Sequence, residues 1–67
     1  MDRLATAELL SEFERLTDDQ RAVIALRIIG NLTLAETAKV LGRRIGAIKA
    51  LQRRAILALQ AALDYLE

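Results

Sequence analysis

The chemistry of this chain is concentrated in one stretch. Between Glu36 and Asp64 lie six positive side chains, Lys39, Arg43, Arg44, Lys49, Arg53 and Arg54, and no negative one. They fall on a helix–glycine–helix pattern: Leu34 to Leu41, Gly42, then Ile45 onward. Ammonium and guanidinium groups attract phosphate whatever the base sequence, and arginine's planar fork also matches guanine edges. A short helix, a tight glycine turn and a second, basic helix are what a helix-turn-helix uses to enter a major groove. On charge alone a solvated helix face explains the run equally well; its place within the helix-turn-helix pattern separates the two readings.

Other chemistries find little support. The 67 residues include no cysteine and no histidine, so disulfides, thiol nucleophiles and the commonest zinc ligands are absent. Asp18-Asp19 is the one adjacent carboxylate pair, and helix N-terminal electrostatics explain it without catalysis. Glu8, Glu12 and Glu14 read as a solvated acidic face rather than a metal site. With no phosphate-cradling glycine loop either, no catalytic constellation is present, and neither enzyme activity nor a metal or cofactor is expected. No apolar run approaches the roughly 20 residues that cross a bilayer, and the N-terminus lacks a signal-peptide pattern, so a cytoplasmic location is expected with no membrane partner.

Charge is divided unevenly along the chain. Residues 1–36 hold four Lys/Arg against seven Asp/Glu, whereas residues 37–67 hold six against two, within an overall charge of +1. The basic half suits a phosphate backbone.

The elements that must position these cations are helical. There is no proline, and only Gly30, Gly42 and Gly46 can punctuate. Thr17-Asp18-Asp19-Gln20 and Thr33-Leu34-Ala35-Glu36 both fit the capping box, in which the Thr hydroxyl accepts from the first turn and the Gln or Glu reaches back. Gly30 and Gly42 stand where the preceding helices should stop, as left-handed caps. This predicts an all-α, four-helix domain over residues 1–67, with a helix-turn-helix at about 33–55. The helices run from about Arg3 to Arg15 (apolar side Leu9, Leu10, Phe13, Leu16), Asp18 to Ile29 (buried stripe Ala22, Val23, Leu26, Ile29), Leu34 to Leu41, and Ile45 to as far as Leu66.

The fourth is the long recognition helix. At 100° per residue, its inner stripe collects Ile48, Gln52, Ala55, Leu59, Ala62 and Leu66. Its outer stripe begins with Gly46, Lys49, Ala50 and Arg53, small side chains that admit a groove wall beside two cations that meet phosphate or guanine. Gln52 on the inner stripe and Leu57 on the outer one break the amphipathic pattern. Arg54 lies on the flank, where it can serve a phosphate or an intramolecular carboxylate.

From Leu16 to Leu59, about two-thirds of its length, the chain resembles region 4 of bacterial sigma factors, especially the extracytoplasmic-function group. The residues that carry the resemblance are Leu16, Gln20-Arg21, Val23, Leu26-Arg27, Gly30, Glu36-Thr37-Ala38, Leu41-Gly42, Gly46-Ala47-Ile48-Lys49 and Arg54-Ala55, in register without gaps. Four departures matter. Thr17 replaces a proline but starts the helix equally well. Thr37 stands where a buried aliphatic is usual, so its hydroxyl needs a partner. Arg44 replaces a capping Ser or Thr and puts a cation at the positive end of the helix dipole, which lowers stability somewhat while offering a guanidinium to phosphate. Ala47 and Ala50 replace polar residues, which shifts base preference towards thymine methyl contacts and DNA shape.

The resemblance implies recognition of the −35 promoter element within an RNA polymerase holoenzyme, docking on the polymerase β flap, and sequestration by an anti-sigma factor. It also implies either a domain of a longer sigma factor or a stand-alone relative, monomeric in isolation. The DNA-contacting set is then Arg43, Arg44, Gly46, Ala47, Lys49, Ala50, Arg53 and Arg54, and Phe13, Leu57 and Tyr65 are candidates for a partner surface. Two alternatives stand beside this: a response-regulator-type output domain dimerising through Leu57, Ala58, Ala61 and Tyr65, and a protein-interaction module, suggested by an apolar content of 54%.

Overall fold

The computed structural model describes residues 3–66, and side chains from 7 to 64. Four helices appear and, among the described residues, no strand: α1 (Arg3–Arg15), α2 (Asp18–Ile24), which runs directly into a π-helical turn (Ala25–Ile29), α3 (Leu34–Leu41) and α4 (Ile45–Leu66). The all-α prediction therefore holds, and so do the predicted limits of α3 and α4. Twenty-two residues at 1.5 Å each make α4 about 33 Å long, close to the 36 Å longest dimension of the molecule. It packs against α1, α2 and α3 in turn, so it is the spine on which the others are laid.

Local sequence accounts for most helix ends. Thr17 accepts from Gln20 N (3.2 Å) while Gln20 Oε1 accepts from Thr17 N (3.1 Å). Thr33 and Glu36 repeat the pattern at 3.0 and 2.8 Å. Both capping boxes are complete. Gly42 ends α3 in the left-handed conformation (φ 65°), with Arg43 N–H returning to the Ala38 carbonyl at 2.9 Å. That bond satisfies a carbonyl the helix would otherwise leave open.

Gly30 behaves differently from expectation. Its φ is −79°, and the left-handed residue is Asn31 (φ 55°), a residue type that tolerates that region. The reason lies upstream. From Ala25 the ladder widens to i→i−5, with Gly30 N–H bonding the Ala25 carbonyl at 2.9 Å, and Leu32 N–H then reaches the Leu26 carbonyl at 3.0 Å. The left-handed step moves one residue on. Gly30 is still required, for space: a Cβ there would lie 2.9 Å from the Leu26 carbonyl oxygen and 3.1 Å from Leu32 Cδ1.

The widened turn also overturns part of the predicted α2 stripe. Val23 is buried, with Ala22 and Leu26 half-buried, but Ile29 is 82% exposed, and Ile24 takes an interior place instead. On α1, Leu9 and Phe13 are half-buried, whereas Leu10 points largely to solvent; Leu16, just past the end of the helix, is buried.

The interior has two parts, joined by neighbouring residues of α2. Ile24 packs with Leu16 and Ala55, flanked by Phe13, Ala58 and Leu59. Val23 packs with Ala38 and Ile48, flanked by Leu34, Leu41 and Leu51. Ala58 is half-buried against the first of these, so only part of it is open to the alternative dimer face. Thr37 is fully buried, and its hydroxyl donates to the Thr33 carbonyl at 2.8 Å. The missing aliphatic is replaced by a satisfied polar group.

Two measurements check these assignments. At φ −79°, alanine in place of Gly30 would ordinarily stabilise by about 0.4–1 kcal/mol through the unfolded state. Here the backbone oxygen 2.9 Å away reverses the sign. Gly30→Ala should lower stability by about 1–3 kcal/mol in thermal or urea unfolding; a raised Tm would refute the close approach. The Glu36 carboxylate is held below its usual value of 4.5, first by accepting from the Thr33 backbone N–H and then by the Thr33 side chain. A lowered folded-state value means a contribution present above the unfolded value and lost as pH falls through the folded one. The Tm advantage of wild type over Glu36→Ala should therefore shrink as pH is taken from neutrality to below 4.5, and a gap independent of pH would count against the ionised cap.

Candidate nucleic-acid interface

The interface is built from the turn after α3 and the first two and a half turns of α4. Gly42 swings the chain through a left-handed step, so Arg43 and Arg44 project at the mouth of α4. Arg44 cannot act as an N-cap, having no side-chain oxygen, and its carbonyl accepts the first intrahelical bond, from Ile48 N–H at 3.1 Å. The earliest N–H groups of a helix have no acceptor within it, so this end carries partial positive charge beside two guanidinium groups.

Along α4, burial alternates with the helical period. Ile48 and Ala55 are buried, and Leu51 and Gln52 are half-buried. The residues between them face solvent. Arg43, Arg44, Gly46, Ala47, Lys49, Ala50, Arg53 and Arg54 are all exposed. Lys49 and Arg53 stand one turn apart and are not covered by another segment. At Gly46 a Cβ would meet nothing within 4 Å. The protein itself has no need of a glycine there.

Two polar links hold this surface in place, and neither was foreseen. Arg27, in the π turn, donates from Nε to Gln52 Oε1 at 2.9 Å and from Nη1 to the Leu32 carbonyl at 2.6 Å. One guanidinium thereby ties the α2 end, the loop before α3 and the recognition helix together. The polar break at Gln52 in an otherwise apolar stripe was the signal. The second link is an ion pair between Arg43 and Asp19, in the first turn of α2. Arg43 is the cation of the basic half with a carboxylate partner among the described residues; Arg54, offered the same alternative by sequence, has none. Asp18 pairs instead with Arg21 on its own helix.

A separate apolar surface lies towards the far end of α4. Ile24, Ile28, Ile56, Leu59, Gln60 and Leu63 line a shallow groove, and Leu59 also lines a neighbouring one with Phe13, Leu9, Leu10 and Ile29. Ile28 is 67% exposed, unusual for a β-branched residue beside a core. Of the predicted partner residues, Phe13 belongs to this surface. Leu57 is exposed but outside both grooves, and the Tyr65 side chain lies outside the described residues. Among the described residues there is no group of three acidic side chains placed to hold a metal ion, and no helix is long and apolar enough to cross a membrane.

Comparison with known proteins agrees with this architecture. The family model described as sigma-70, region 4 matches residues 13–61. The chain is also 43% identical over 56 residues to the ECF RNA polymerase sigma factor BldN of Streptomyces coelicolor, a match covering 84% of this chain and 21% of that protein. The chain thus spans about a fifth of that relative's length. No solved structure matches it. A helix-turn-helix with an exposed cationic recognition helix, matched over the helices that build it, belongs to the sigma-70 region 4 family in its extracytoplasmic-function branch.

Proposed function

We propose that this domain binds the −35 element of a promoter through α4, as part of a sigma factor that directs RNA polymerase in the cytoplasm. The observation that carries the reading is the exposure of all eight proposed contact residues along one outward face, over a core that holds the same helix by Ile48 and Ala55. Arg43 and Arg44 meet phosphates at the mouth of the helix, where its unsatisfied N–H groups add to the attraction. Lys49 and Arg53 follow the backbone or reach a guanine edge. Gly46, Ala47 and Ala50 let the groove come close, and Arg54 serves the flanking phosphate. Specificity then comes from close fit and methyl contacts more than from side-chain amides or hydroxyls, because none of those belongs to the contact set.

The apolar surface around Ile28 and Ile29 supports a second part of the same proposal. Exposed β-branched residues lining shallow grooves fit an apolar protein segment, and the polymerase β flap or an anti-sigma factor are the partners this family suggests. This surface lies beyond the cationic segment of α4, so protein and DNA contacts need not exclude one another.

Two substitutions test the DNA reading. Lys49→Ala should weaken binding to all duplexes by a similar factor and shallow the plot of log K against log salt by about 0.9. An unchanged slope would remove Lys49 from the interface. Gly46→Ala should raise the Tm, since alanine is favoured over glycine in helices by up to about 1 kcal/mol and nothing obstructs its methyl. The same methyl should weaken promoter binding by about tenfold, roughly 1.4 kcal/mol. A stabilised variant with undiminished affinity would place the groove elsewhere.

A further inference from the structure

The ion pair between Arg43 and Asp19 sets the turn of the helix-turn-helix apart from the rest of the basic surface. Among the described residues, Lys39, Arg44, Lys49, Arg53 and Arg54 make no salt bridge, so their charge is fully available to a ligand. Arg43 alone is already engaged, and its partner comes from 24 residues earlier in the chain, across the helix packing. Both side chains remain nearly half exposed, at 44% and 46%. The pair is therefore wet, weak and reversible, rather than a buried structural clamp.

Asp19 has a second source of stabilisation that makes it a good temporary host. It sits in the first turn of α2, where the helix dipole favours a carboxylate whether or not a cation is beside it. Releasing Arg43 thus leaves Asp19 supported, and a phosphate can take the guanidinium over with little loss. The geometry points to Asp19 as an intramolecular competitor for the phosphate contact of Arg43, a counter-charge that withholds part of the turn's positive charge until DNA displaces it. The role rests on the proposal that α4 binds DNA. It assigns a DNA-binding function to a carboxylate on the acidic half of the chain, a residue that touches neither base nor phosphate.

The test uses Asp19→Asn, Arg43→Ala and the double variant, with a short mixed-sequence duplex titrated at about 50 to 200 mM salt. Asparagine retains the helix-start position and removes only the charge. Asp19→Asn should tighten binding by up to about fivefold, the scale of a weak exposed pair, with a salt slope close to that of the wild type, because Arg43 reaches the phosphate in both proteins and only the free state differs. In the Arg43→Ala background the same change should have almost no effect. Asp18→Asn, whose carboxylate pairs with Arg21 on α2, serves as the control for simple removal of negative charge and should leave affinity nearly unchanged. In the free protein, Asp19→Asn should shift the Arg43 guanidinium NMR signals and spare those of Arg53 and Arg54, which reads the pair without any DNA. Unaltered or weaker binding by Asp19→Asn overturns the competitor role, as does an equal gain in the Arg43→Ala background. A wild-type chain that ignores duplex at the lowest salt overturns the DNA reading itself, and this role with it.

Discussion

One helix has to satisfy two surroundings at once. In α4, Ile48 is buried and Lys49, the next residue, stands in solvent. The 100° between successive side chains makes that possible, and it ties the direction of Lys49 to the seating of Ile48. Val23 and Ala38 close around Ile48, so the core that stabilises the domain is also the bearing that aims the cationic face. Full burial of an isoleucine side chain is worth about 1.5–3 kcal/mol, a large share of what a chain of this size can hold in reserve. Stability and orientation are therefore one property here.

The π turn is the second place where one feature serves two ends. A widened i→i−5 ladder loses helical regularity, yet it sends Ile28 and Ile29 outward and presents Arg27 towards Gln52. Such turns are rare and tend to persist where something other than helix stability depends on them. In this domain the guanidinium of Arg27 bridges the loop before α3 and the flank of α4, while the displaced isoleucines supply the apolar surface.

Those features mark the limit of what was readable from residues alone. The capping threonines, Gly42 and the cationic run were local signals, and the limits of α3 and α4 followed from them directly. The outward face of α4 was equally legible, because small and charged residues recurring at helical spacing on one side of the helix leave little choice of which side is exposed. Gly30 misled for a physical reason: glycine at a helix end usually means a left-handed angle, but here it means close approach to the Leu26 carbonyl, with Asn31 taking the angle. Spacing of apolar residues assumes 3.6 residues per turn throughout, so it cannot register a turn that departs from that period. The pairs Arg27–Gln52 and Arg43–Asp19 join residues 25 and 24 apart, and side-chain partners at that distance depend on tertiary packing.

The start of α4 shows how binding and stability pull against each other. Two helices of this chain begin with a complete capping box, each worth about 1 kcal/mol. The recognition helix begins instead with Arg43 and Arg44, and then a glycine in its first turn. A serine at 44 and an alanine at 46 would both improve the helix. Each would also alter the surface proposed to meet DNA, by removing a cation or adding a methyl. An anion at that end would complete the helix, meeting both the open N–H groups and the guanidinium charge that otherwise opposes the dipole. The first turn of α4 is thus least favourable in the free protein where a phosphate would help it most, and under the proposed function that difference would add to the affinity for DNA.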